Sequence, residues 1–213
     1  MRKKIIERPP SPRQRMINLM YIVLLAMLAM NISSDVLNGF TLVEESLSRS
    51  TSNATIQNEA VYKEFAASDS INHEKVGEWY NKALSVKSMS DSLYNFAGEL
   101  KELIAKEADG KKAEINNLQN KEDLEAATQV MLSPTKGRGQ DLYNAINSYR
   151  DRILEMIDNP VQRDIISNNF STDVPDKSGA LNKNWQEYNF ENMPAVAAIT
   201  LLTKLQNDIR YAE

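Results

Sequence analysis

Polar residues stand within and at both ends of an apolar stretch near the N-terminus. Residues 16–34 (MINLMYIVLLAMLAMNISS) carry no charge, but they include Asn18, Tyr21 and Asn31, and Arg13 and Asp35 lie just outside them. A hydrogen-bond donor without a partner in a lipid environment costs several kcal/mol. These residue types therefore predict polar contacts with a partner inside a membrane and not catalysis.

Helical spacing would place many of these residues on one face. If Arg13 to Asp35 forms one helix, the 4-3-4-4-3-4 spacing predicts a face that meets another protein better than it meets lipid. An alternative remains open, because an arginine at a membrane edge commonly snorkels and Tyr21 could lie at headgroup level. The residues alone favour that alternative for Arg13. The predicted face consists of Arg13, Ile17, Met20, Leu24, Leu28, Asn31 and Asp35.

The element that carries this face is a predicted transmembrane helix over residues 16–36. Nineteen uncharged residues form a helix of about 28 Å, enough to cross a bilayer once. The first fifteen residues have six basic side chains and one acidic one, so they carry +5 and the remainder −9 of a total of −4. This asymmetry predicts a cytoplasmic N-terminus (1–15) and an exported domain (37–213). A cleaved signal peptide is the alternative, but the long apolar run lacks a convincing cleavage site.

Composition excludes several functions. The chain has no cysteine and a single histidine, so disulfides, thiolate chemistry and multi-histidine metal sites are not available within one chain. We expect no cofactor, no metal and no enzymatic activity, and we expect His73 to be a solvated residue in the first turn of a helix. The adjacent acids Glu122 and Asp123 are expected on a solvated face. The acidic exported part gives no electrostatic reason to bind nucleic acid.

Helical periodicity dominates the remainder and predicts an all-α fold, a single N-terminal transmembrane helix continuing into a periplasmic helical bundle. One long helix is expected from Asn72 to Ala108, with Asp109-Gly110 as its end. Before it, a stripe continues in register with the apolar run and predicts a rigid stalk, weakened at residues 49–53. The inward stripe of the long helix is Trp79, Ala83, Val86, Ser90, Leu93, Ala97, Leu100 and Ile104; that of the stalk is Val36, Phe40, Val43 and Leu47.

Three further segments complete the predicted bundle. A helix over 142–156 ends before Asn159-Pro160, which begins a short helix. Residues 171–190 read as a long polar loop, and the apolar helix from Pro194 is expected at the centre of the bundle. Its helical pattern reaches Glu213 without a cap, which favours truncation of a longer protein at least as much as a natural end there. Residues 117–140 are less clear, with a possible short helix followed by a turn whose glycines, Gly137 and Gly139, lack the spacing of a phosphate-binding loop.

Four blocks of the sequence resemble one family. They are Pro12 to Phe40 (PRQRMINLMYIVLLAMLAMNISSDVLNGF), Glu74 to Leu84 (EKVGEWYNKAL), Val130 to Gly139 (VMLSPTKGRG) and Phe190 to Glu213 (FENMPAVAAITLLTKLQNDIRYAE). In this order they resemble the anchor and first periplasmic domain of the GldM/PorM family, the M subunit of the Bacteroidetes gliding-motility and type IX secretion motor.

The resemblance implies a subunit of an inner-membrane motor driven by the proton-motive force. Its anchors would pair as a homodimer inside a ring of the L subunit, which has two membrane helices and intramembrane glutamates, and missing β-rich C-terminal domains would reach outer-membrane-associated secretion components. The family arginine falls on Arg13, which would face a partner glutamate; Tyr21, Asn31 and Asn18 would add polar contacts. A passive membrane-anchored scaffold or sensor is the alternative. It predicts that any span of equal length could replace the anchor.

Overall fold

The computed structural model describes residues 11–30, 33–175 and 183–213. Within these ranges the chain forms eight α-helices and one 3₁₀ turn, Ile115–Asn117, and contains no strand, which confirms the all-α prediction. The chain divides into two compact units, one ending at Ser34 and the other running from Asp35 to Glu213.

The first unit contains helix α1, Pro12–Met30. The Ser11 hydroxyl accepts a hydrogen bond from the backbone N–H of Gln14 at 3.3 Å, and Pro12 fits the first turn, where its missing N–H needs no partner. Within the described part of the chain, no helix combines the length and apolar character that a membrane crossing requires. The predicted span over 16–36 includes residues 31 and 32, which lie outside the described ranges, so its continuity stays a prediction.

The second unit begins with two long helices, α2 (Ser34–Ile71) and α3 (His73–Asp109). The Asn72 side chain caps α3 by accepting from the backbone N–H of Lys75, and Gly110, with φ of +81°, ends it. The ends of α3 are therefore as predicted. The expected weakening of α2 at residues 49–53 is absent, because α2 is helical throughout.

Two predicted inward stripes need correction. On α3, Ser90, Leu93, Ala97, Leu100 and Ile104 are buried as expected, but Trp79 is 60% exposed. Glu213, the residue after α8, lines one pocket with Ala83 and Val86 of α3, and next to Trp79 the Tyr80 ring contacts Phe65 of α2. On α2, Val36, Phe40 and Val43 are exposed, and the inward residues are instead Leu37, Glu44 and Thr51.

Five further helices complete the bundle, three packed against α3 and two packed against those three. They are α4 (Glu125–Leu132), α5 (Gly139–Met156), α6 (Pro160–Asn169), α7 (Trp185–Phe190) and α8 (Ala195–Ala212). The closest helix packing in the described unit joins α3 to α8, α4 and α5. Helix α8 is buried over its first six residues and again at Leu202, Thr203, Gln206 and Ile209, which confirms its predicted central position.

Local caps explain where the shorter helices begin. The Asn159 side chain accepts from the backbone N–H groups of Val161 and Gln162, which confirms it as the cap of α6 before Pro160. Asn184 and Glu187 form a capping box on α7, a short helix within the predicted loop. Asp123 caps α4 by accepting from the N–H groups of Glu125 and Ala126, so it is not the freely solvated acid that was expected.

Candidate functional site

Helix α1 carries most of the predicted coupling residues, and their side chains are exposed. Arg13, Asn18 and Tyr21 are all exposed, and among the described residues Arg13 makes no ion pair. Asn18 has a local partner, because its Oδ1 accepts from Gln14 Nε2 at 3.1 Å. One of the predicted intramembrane polar groups is thus satisfied within its own helix.

The predicted packing face of α1 lies partly within the described residues. Ile17, Met20 and Leu24 are exposed and follow Arg13 at helical spacing on one side of α1. Leu28 belongs to α1, but its side chain is not among the parts that the structure describes. Asn31 lies outside the described residues. Asp35 lies in the first turn of α2, in the second unit. The structure therefore brings Arg13, Ile17, Met20 and Leu24 together and leaves the rest of the face a prediction.

A second candidate site is the interface of α2 with α3 and α8, which is built around a buried ion pair. Lys101 Nζ of α3 lies 3.3 Å from Glu44 Oε1 of α2, and both residues are buried, at 8% and 7% exposure. The Thr203 hydroxyl of α8 donates to the same Glu44 oxygen at 3.0 Å. One carboxylate thus joins three helices.

The environment of Lys101 is completed by Gln206 of α8. Lys101 Nζ also donates to Gln206 Oε1 at 3.3 Å, while Gln206 Nε2 donates to the carbonyl of Tyr94 at 3.0 Å. Burial lowers the pKa of Lys101, and the neighbouring Glu44 carboxylate partly offsets this effect. The ammonium group therefore depends on Glu44 to remain charged in this position.

Polar contacts continue along α2 on both sides of Glu44. The Thr200 hydroxyl of α8 donates to the Phe40 carbonyl at 3.3 Å, and Thr51 donates to Asn207 at 3.4 Å. Further along, Asn58 Nδ2 donates to the Arg210 carbonyl at 2.8 Å, and Lys87 of α3 pairs with Glu59. We refer to these contacts together with the Glu44 contacts as the α2 ladder. Side chains, more than close backbone packing, hold α2 in place.

The C-terminal end of α8 is fixed to α3 by an arginine. Arg210 pairs with Asp91 at 2.8 Å and with Glu213 at 2.7 Å, and its guanidinium lies 4.4 Å from the centre of the Tyr94 ring. Its Nε is buried without a hydrogen-bond partner. Burial and the Glu213 carboxylate raise the pKa of Tyr62 on α2. Arg210 is already paired with two carboxylates. We therefore assign these groups the role of holding α8 against α3.

The loop between α4 and α5 is shaped by two close backbone approaches. A Cβ on Gly137 would lie 2.6 Å from the Ser133 carbonyl oxygen, and one on Gly139 would lie 2.7 Å from that of Met131. Arg138 between them pairs with Glu99 and Asp141 and lies over the Phe96 ring. These glycines thus lie where the chain turns into α5, as the turn interpretation predicted.

Sequence reasoning missed the charged residues of the α2 ladder. Glu44 lies seven residues from both Leu37 and Thr51, so a repeat of inward positions was present, but two of its three members are polar. Lys101 follows the predicted core residue Leu100 directly. Opposite charges adjacent to two core stripes were the available signal, and hydrophobic periodicity alone gave them no weight.

Chemically, these sites consist of an exposed apolar helix surface and of polar contacts that join helices. In residues 11–30, 33–175 and 183–213, no group of three or more His, Asp or Glu side chains could hold a metal ion. His73 is exposed and contacts Asp69 at 2.8 Å, without a nucleophile beside it. The described residues thus define an all-α class of chain, an exposed apolar helix joined in sequence to an α-helical bundle.

Comparison with known proteins identifies the family. The family model for the GldM N-terminal domain matches residues 35–213, the whole of the second unit, and the chain belongs to this family. Membership makes it a component of the gliding-motility and type IX secretion machinery and implies assembly within that complex. No match is found among curated proteins.

Proposed function

We propose that this chain is a subunit of an inner-membrane motor that uses the proton-motive force to drive type IX secretion and gliding. Its α1 would be the membrane anchor, with residues 1–15 in the cytoplasm and residues 37–213 in the periplasm, and its bundle would transmit movement toward the outer membrane. The observation that carries the proposal is the family match, together with an α1 whose large apolar side chains are exposed around Arg13. The chain itself would catalyse no reaction.

Arg13 is the proposed coupling residue. An arginine in a low-dielectric site stabilises a neighbouring carboxylate, and protonation of that carboxylate releases the pair. A glutamate of the surrounding L subunit would supply the carboxylate and the proton path. The exposed position of Arg13 and its lack of an ion pair among the described residues support this assignment.

Substitution of Arg13 tests the coupling. We expect Arg13→Ala to abolish secretion and gliding while the protein still inserts, and Arg13→Lys to retain only a part, because it preserves charge without the guanidinium geometry. Arg15→Ala is the matched control, since Arg15 lies about 200° around the helix. Equal activity of Arg13→Ala and Arg15→Ala, at equal protein abundance, would refute the coupling role.

Replacement of α1 tests the motor against a passive scaffold. An unrelated membrane span of equal length should support insertion but no secretion or gliding if α1 is part of the motor. A swapped protein that still secretes its cargo would establish the scaffold alternative.

The homodimer is also a proposal, and the outward face of α2 supports it. Val36 and Val43 remain half exposed, and Leu42 is 66% exposed, although α2 belongs to a folded bundle. Because the chain has no cysteine, Val43→Cys is a clean probe of a partner α2. We expect it to cross-link between copies in membranes, whereas Glu45→Cys, about 200° around the helix, should not. Equal cross-linking at both positions would contradict an interface on this face.

A further inference from the structure

Helix α2 presents its polar residues to the bundle and its apolar residues to the outside. The buried positions Leu37, Glu44 and Thr51 are seven residues apart, and the hydrogen bond from Asn58 to Arg210 extends the same stripe. Among these positions only Leu37 contributes a large apolar side chain. The opposite arrangement holds on α8, whose inward residues are mainly apolar.

A second, apolar stripe lies one residue earlier on α2. Val36, Val43 and Ser50 precede Leu37, Glu44 and Thr51, and Phe40 and Leu47 lie between them at helical spacing. Val36 and Val43 are 52% and 50% exposed in the observed arrangement. One residue corresponds to a rotation of about 100° around the helix axis. Such a rotation would bury the apolar stripe, which the hydrophobic effect favours.

The buried Glu44 contacts oppose that rotation. In the rotated arrangement Val43 would replace Glu44 at the bundle, and Lys101 would remain buried without its carboxylate. Thr203 would lose the same acceptor, since its hydroxyl donates to Glu44 Oε1. A buried charge without a partner is strongly unfavourable, and buried polar pairs are well attested as devices that fix helix register.

We propose that α2 has two rotational registers on the bundle and that the Lys101–Glu44 pair selects the one that leaves Val36, Phe40 and Val43 outside. The pair thus determines which face of α2 lies against the bundle and which face is exposed. The inference goes beyond the proposed function and holds whether or not the chain is part of a motor.

Cysteine pairs with Asn207→Cys can read the register of α2, because the full chain contains no other thiol. Thr51 contacts Asn207 in the observed register, and Ser50 would take its place after the rotation. Ser52 faces Asn207 in neither register. Because disulfides need a narrow range of Cβ separations, the Thr51→Cys pair should oxidise roughly tenfold faster than the other two.

The double variant E44S/K101M, which removes the ion pair without adding an apolar side chain to the inward stripe of α2, is expected to reverse that order. Without the ion pair the apolar stripe should turn inward, so the Ser50→Cys pair should become the fastest by roughly tenfold. The matched control is E59S/K87M, which removes the Lys87–Glu59 ion pair between α2 and α3 at a more exposed position, and should leave the Thr51→Cys pair fastest. Persistence of the Thr51→Cys pair as the fastest in E44S/K101M would overturn the proposal.

A second variant, E44Q, allows the test to be made even if the double variant does not fold. E44Q keeps the shape of the side chain but removes its charge, and it should raise the rate of the Ser50→Cys pair relative to the Thr51→Cys pair. Circular dichroism identifies whether E44S/K101M retains its helices. If it does not, E44Q decides alone, and an unchanged ratio of the Ser50→Cys rate to the Thr51→Cys rate in E44Q would equally overturn the proposal.

Discussion

Helices α8 and α2 both pack against α3, but different forces hold them. Helix α8 buries Val196, Ile199, Leu202 and Ile209 and approaches α3 closely. Helix α2 is attached mainly through the α2 ladder, whose neutral hydrogen bonds each contribute only about 0.5 to 1.5 kcal/mol net. The contrast shows that one long helix, α3, can form a tightly packed core with α8 and also bind α2 less firmly. Local opening should therefore begin at α2.

The largest difference is expected between a core leucine and an outward valine. Leu100 on α3 is fully buried, so Leu100→Ala should lower the free energy of unfolding by about 3 to 4 kcal/mol. Val43→Ala on α2 should change it by less than about 0.5 kcal/mol. Denaturant unfolding followed by circular dichroism measures both. A comparable loss for Val43→Ala would mean that the outward face of α2 is packed within the monomer.

The next effect concerns the charge pair. Lys101→Met leaves Glu44 buried without its cation and should cost about 3 kcal/mol, whereas E44L/K101M should recover most of the loss. Hydrogen exchange should locate the Lys101→Met effect in residues 35–58, with α3 residues 90–108 still protected. Equal loss of protection in both segments would show that α2 and the core open together, against the contrast drawn above.

A polar contact inside the core should behave differently from those of α2. The Tyr149 hydroxyl lies 2.9 Å from Ser90 Oγ, and burial raises the pKa of Tyr149 to about 12. The folded chain therefore retains this proton between pH 10 and 12 while the unfolded chain loses it, so stability falls as the pH rises through this range. The tyrosine contributes about 2 to 3 kcal/mol to that fall.

Tyr149→Phe tests this contribution. The variant should show a flatter decline of the free energy of unfolding between pH 10 and 12 than the unchanged chain, because its side chain cannot titrate. Tyr211→Phe is the control, since Tyr211 is 74% exposed and should leave the decline unaltered. Parallel pH profiles for Tyr149→Phe and the unchanged chain would count against the buried hydroxyl as the cause.

The smallest effect is expected from a single contact of the ladder. Thr51→Val removes the hydrogen bond to Asn207 but keeps the side-chain volume, so it should cost less than about 1 kcal/mol. Its effect on hydrogen exchange should be confined to α2. A loss as large as that of Leu100→Ala would mean that the ladder behaves as a cooperative part of the core.

The sequence predicted the elements that depend on local or strongly periodic signals. Asn72, Gly110 and Asn159 marked helix ends because caps act within a few residues, and α8 was recognised because its apolar run has no solvent-facing side. The prediction for the inward face of α2 was wrong because hydrophobic periodicity follows apolar residues. There, tertiary pairing of Glu44 with Lys101 prevails, and no local signal could give its partner 57 residues away.

The two loop glycines have a consequence for substitution tolerance. Backbone atoms limit the space at Gly137, and a backbone carbonyl together with the Gln186 side chain limits it at Gly139, so every other amino acid would force the α4–α5 turn to move. The same short motif would therefore stay unchanged during divergence even in a homologue that had lost every partner. Conservation of this motif would then reflect the backbone geometry of the turn. Residues that bind a partner are better sought on surfaces where substitutions are tolerated.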